Sequence, residues 1–140
     1  MRIRVLTYTS KGKLLAIADE VTKLLDADKA TDVIPPAYPC DGERLVVIVA
    51  SAKNSYPESV QRTLRSFKRS VTHNVAFIID GTEESAKSIV EMAKTNDSHV
   101  IEDKILYIKG GLPFKFMKKV SADEMAAVNE WVKEVKAAMV

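Results

Sequence analysis

Residues 3–25, IRVLTYTSKGKLLAIADEVTKLL, decide the fold. Ile3 to Tyr8 is apolar and rich in β-formers, and a short turn carrying hydroxyls and Gly12 follows it. Leu14, Ile17, Ala18, Val21, Leu24 and Leu25 then recur at helical spacing, which predicts an amphipathic helix. A strand that feeds a helix through such a turn aims backbone N–H groups and the positive end of a helix at one point. That point favours negative charge.

Working outward, Thr31 to Ile34 reads as a short second strand, ended by Pro35 and Pro36. The segment Pro35 to Glu43, PPAYPCDGE, has three prolines and no helical period. Arg44 to Ala50, RLVVIVA, is a continuous apolar run, the mark of a central strand covered on both faces. Ser55, Pro57 and Glu58 form a helix start, with Ser55 and Glu58 spaced as a capping box, and Val60, Leu64 and Phe67 supply its buried stripe. Asn74 to Ile79 is a second buried run, and Asp80-Gly81-Thr82 turns into a third helix with Thr82 as N-cap. That helix turns Ala86, Ile89, Val90 and Ala93 inward. Lys104 to Lys109 alternates polar and apolar residues, as an edge strand does. After Gly110 and Gly111, a last helix starts at Ser121, with Glu124 as its box partner, and buries Met125, Val128, Val132, Val135 and Met139 beside Trp131.

Strands alternating with helices give one α/β domain over residues 1–140, a three-layer sandwich around a five-stranded parallel sheet. The order 2-1-3-4-5 opens the ligand crevice outside the carboxyl ends of strands one and three. The helix expected between strands two and three is missing. Nine extended residues reach about 30 Å, enough to return to the next strand.

Composition narrows the function classes. A net charge of +2 implies neither nucleic acid nor an acidic membrane as partner. No apolar run approaches the roughly 18 residues that span a bilayer, and the chain opens directly into strand pattern, with no leader. The lone Cys40 forms no internal disulfide, which suits a reducing cytoplasm.

In element order nearly the whole chain resembles the flavodoxin family. The most specific part is the first loop, where flavodoxins hold the FMN phosphate on a turn of the form Ser/Thr-x-Thr-Gly-Asn-Thr. Anchored on Gly12, this chain offers Thr9, Ser10, Lys11, Gly12, Lys13 and Leu14. Lys11, Lys13 and Leu14 depart from the pattern. Each lost hydroxyl donor removes about 1.5–3 kcal/mol of contact with a charged group, which lysines offset as point charges. The second loop is Ala50 to Tyr56, with Ser51 at its start and Tyr56 placed to stack on an isoalloxazine ring. The third is Asp80-Gly81-Thr82, where Gly81 lets backbone approach the ring edge. The resemblance implies an FMN-binding electron carrier with a redox protein partner, or a protein of this fold that takes another phosphate-bearing ligand.

Plainer readings stand beside these. Thr9, Ser10 and Gly12 also serve as turn and cap residues, and Lys11, Lys13 and Lys53 as solvated lysines. Tyr56 packs a loop edge equally well. His73 and His99 each precede a strand and read as solvent-edge residues, Cys40 as a spectator, and Phe114, Phe116 and Met117 as packing for the last loop. A nucleotide-binding loop of the form Gly-x-x-x-x-Gly-Lys-Ser/Thr is absent, since Thr7 stands five before Gly12 and Leu14 follows Lys13. No catalytic acid, base or nucleophile and no metal-ligand set emerges. The alternative function is that of a flavodoxin-like fold that has lost flavin and acts as a binding or interaction module.

Overall fold

The structure is a computed structural model that describes residues 2–8, 12–27, 29–36, 42–52, 56–108 and 122–140. The elements run β1 (Ile3–Thr7), α1 (Gly12–Leu24), β2 (Asp32–Val33), β3 (Glu43–Ser51), α2 (Glu58–Arg65), β4 (Thr72–Asp80), α3 (Glu83–Ala93), β5 (His99–Val100), β6 (Leu106–Ile108) and α4 (Ala122–Ala138). All pairings are parallel, in the order β2-β1-β3-β4-β5, with β6 also on β4. β5 meets the start of β4 at Asn74 and Val75, and β6 meets its end at Ile78 to Asp80. Together they form one edge strand, interrupted by a short 3-10 turn at Glu102–Lys104. The chain is therefore the expected α/β sandwich of flavodoxin type.

Strand alternation sorts the core into two layers. Ile3, Val5, Val47, Val49, Ala76 and Ile78 face α1 and α4, meeting Ile17, Val21, Val128 and Val132. Leu6, Val46, Ile48, Phe77 and Ile79 face α2 and α3, meeting Val60, Leu64 and Ile89. Burial of each such side chain stabilises the fold by about 1.5–3 kcal/mol, which explains why β3 and β4, covered on both faces, read as unbroken apolar runs.

Among the described residues no helix lies between β2 and β3; residues 37–41 of that connector, with Cys40, lie outside them. On this side of the sheet the buried Arg4 of β1 reaches Asp32 Oδ2 at 3.4 Å. A lone guanidinium so placed is costly, and the carboxylate offsets part of that cost.

Some boundaries differ from expectation. β3 and β4 each run to nine residues, because pairing with neighbours extends them past the apolar run. His73 thus lies within β4, exposed, and His99 lies in β5 with Nδ1 3.0 Å from Asn74 Oδ1. The cap position of α2 is Pro57, which makes no side-chain capping bond; Ser55, and with it the expected Ser55–Glu58 box, lies outside the described residues. Near this start Gln61 Nε2 donates to Tyr56 O at 2.7 Å. Met125 and Met139 are only half-buried, while Trp131 is buried and donates Nε1–H to Lys104 O at 2.5 Å. Ser121 and the Phe114 to Met117 cluster lie outside the described residues. Among the described residues, no helix is long and apolar enough to cross a membrane.

Candidate functional site

The carboxyl ends of β1, β3 and β4 lie side by side, and strand order reverses at β1, from which β2 is laid down on one side and β3 on the other. In folds of this kind the crevice at such a reversal takes the ligand. Gly12 opens α1 at this edge with φ +79°, a conformation that residues with a Cβ adopt only at a cost. Thr9, Ser10 and Lys11, the rest of the expected phosphate loop, lie outside the described residues, as does Lys53.

Lys13, the second residue of α1, is mostly buried, and its ammonium is ion-paired with Glu124 Oε2 in the first turn of α4. The sequence alone does not reveal this partner: Glu124 reads as a cap residue, because nothing in the linear order brings two helix starts together. A cavity of about 500 Å³ opens beside the pair, lined by both side chains and by Leu106, Tyr107, Ile108 and Asp123. Tyr107 is exposed at this edge, and its partial desolvation, with the Glu83 carboxylate adding to it, pushes the phenol above its ordinary pKa.

The second and third loops are tied to each other. Ser51 Oγ donates to Asp80 Oδ2 at 3.0 Å, and Ala52 N donates to Asp80 O at 3.0 Å. Tyr56 is buried: its OH donates to Ser51 O at 2.9 Å, and its ring stands edge-on to Tyr8, with centroids 5.5 Å apart. The ring expected at the surface of this loop is instead part of the core against α2 and α3, where it braces the end of β3.

Gly81 has φ +155°, and a Cβ there would stand 2.7 Å from Ser85 Oγ and 3.0 Å from Ala52 Cβ. Its N–H donates to Ile108 O at 3.3 Å, which spends that amide within the fold. The next residue, Thr82, caps α3 through a reciprocal box with Ser85. A half-buried carboxylate, Asp80, therefore sits at the mouth between Ser51 and Gly81, where the sequence suggests only a turn residue. The one hint is its place directly after a buried strand and before a glycine.

Of the expected site residues, Gly12 and Lys13 stand at the start of α1 and Ser51 and Gly81 at the ends of β3 and β4, all at the same edge of the sheet. Tyr56 stands behind that edge. Among the described residues no group of three or more His, Cys, Asp or Glu is arranged to hold a metal ion. No protein-family model matches this chain, and no curated protein matches it either.

Proposed function

We propose that the chain is a small FMN-binding protein of flavodoxin type that serves in electron transfer with a redox protein partner. The observation behind this reading is Gly12. Its left-handed backbone opens α1 at the reversal of strand order, beside the amides of a helix start. In this reading Thr9, Ser10, Lys11, Gly12 and Lys13 hold the phosphate, while Ser51 and Gly81 border the flavin ring. Tyr56 braces the second loop from beneath. FMN, when bound, supplies the redox chemistry; the protein binds and orients it.

One pair of observations favours a second reading, a binding module of this fold without flavin. The Tyr56 ring is buried, and the Lys13 charge is already matched by Glu124.

Titration separates the two. Under the flavin reading, FMN added at micromolar concentration loses its fluorescence at one equivalent, and riboflavin binds more weakly because it lacks the phosphate. Undiminished fluorescence of both flavins over the same range overturns that reading in favour of the second.

A further inference from the structure

The Lys13–Glu124 pair has a consequence for the ligand that neither residue has alone. Lys13 is the only lysine of the expected phosphate loop that is among the described residues, and its ammonium is matched by an internal carboxylate. Its side chain is 11% exposed and that of Glu124 27%, so the pair is shielded from bulk water on most sides. At such a site an ion pair is screened far less than at an open surface. An anion that approaches Lys13 must share the ammonium with Glu124 or take it over. Asp123 stands next to Glu124 and lines the same cavity, adding to the negative charge that an anion would meet. A lysine carries its charge on a flexible four-carbon stem, so the ammonium can turn from one acceptor to another without backbone motion.

We infer that Glu124 is a specificity-determining residue that acts through Lys13, as an internal competitor for the phosphate group of the ligand. This rests on the phosphate reading of the first loop. The carboxylate keeps Lys13 neutralised in the empty protein and lowers affinity for phosphorylated ligands, leaving affinity for their unphosphorylated forms untouched. Glu124 is thus a positioning residue for the ammonium and touches no reacting atom.

The test uses the whole chain, Glu124→Gln, Lys13→Ala and the double variant, each titrated with FMN and with riboflavin. Gln keeps the length and hydrogen-bonding capacity of Glu, and urea unfolding of each variant verifies that the fold persists. Glu124→Gln is expected to bind FMN roughly tenfold more tightly than the parent, the scale of removing one nearby unit charge at a partly shielded site. Riboflavin affinity stays the same, and the gain in FMN affinity shrinks as salt rises. In the Lys13→Ala background the same substitution changes FMN affinity by less than about twofold, because the residue through which Glu124 acts is gone.

Two results overturn the inference while leaving the flavin reading intact: FMN binding equally tight in parent and Glu124→Gln, or a tightening that persists without Lys13 and so reflects direct repulsion. A failure of parent and variants alike to bind FMN overturns the inference and the flavin reading together.

Discussion

At the scale of single residues, the carboxyl edge of the sheet is built from side chains that constrain one another. Gly81 shows how tightly. With φ at +155° and only 2.7 Å between the position of an added Cβ and Ser85 Oγ, there is no room for alanine. The atom in the way also accepts the Thr82 N–H in the box that starts α3. Gly81→Ala is therefore expected to destabilise the fold by about 1–3 kcal/mol, combining backbone strain with displacement of that contact. Urea unfolding checks this: the midpoint falls and the slope stays the same. An unchanged midpoint would mean that Ser85 yields freely. The sequence marks Gly81 as a turn glycine but hides the reason for it. Ser85 and Ala52 come from either side of it, and only the three-dimensional turn brings both against its Cα. Tyr56 is hard to place for a similar reason. An aromatic in a loop looks exposed until Tyr8, 48 positions earlier, is found edge-on to its ring.

At the scale of elements, caps and edges decide where the pattern stops. The stripe of α3, Ala86, Ile89, Val90 and Ala93, is buried as its spacing predicts, and its cap is Thr82. Thr82→Ala removes the acceptor for Ser85 N–H and is expected to cost about 1 kcal/mol. Chemical denaturation measures this, and a loss below about 0.3 kcal/mol, smaller than cap deletions normally cost, would show that Ser85 Oγ alone sustains the start of the helix. The start of α2 is marked differently, by Pro57 directly before Glu58 with no side-chain capping bond, and the expected stripe residues Val60 and Leu64 pack the helix into the core. The edge strand is half legible. Leu106–Ile108 lies in an alternating stretch, whereas His99–Val100 is two residues long, too short for any period, and exists because β4 offers it a partner. The ion pair of Lys13 with Glu124 belongs to this scale too, since the packing of α1 against α4 creates it.

At the scale of the whole molecule, two buried parallel strands, flanked by helices on both faces, set the topology. The coverage of both faces is legible in RLVVIVA and NVAFII, which have no exposed face to place polar residues on, and the parallel order in the alternation of strands with helices that begins at residues 3–25. The topology in turn sets the place of the crevice. It does not set the ligand: under the proposed reading the residues that would meet one, Lys13 with Glu124 and Ser51 with Asp80, are paired only by tertiary contacts between distant segments. The central claim is that FMN binds at the carboxyl edge of the sheet, at the reversal between β1 and β3. Amide chemical-shift mapping of isotope-labelled protein during an FMN titration tests it most directly. Binding there produces saturable shifts at Gly12, Ser51, Ala52, Gly81 and Thr82, with Glu43, Thr72 and His99 at the opposite edge unmoved. Shifts centred on that opposite edge, or none at saturating FMN, would contradict it.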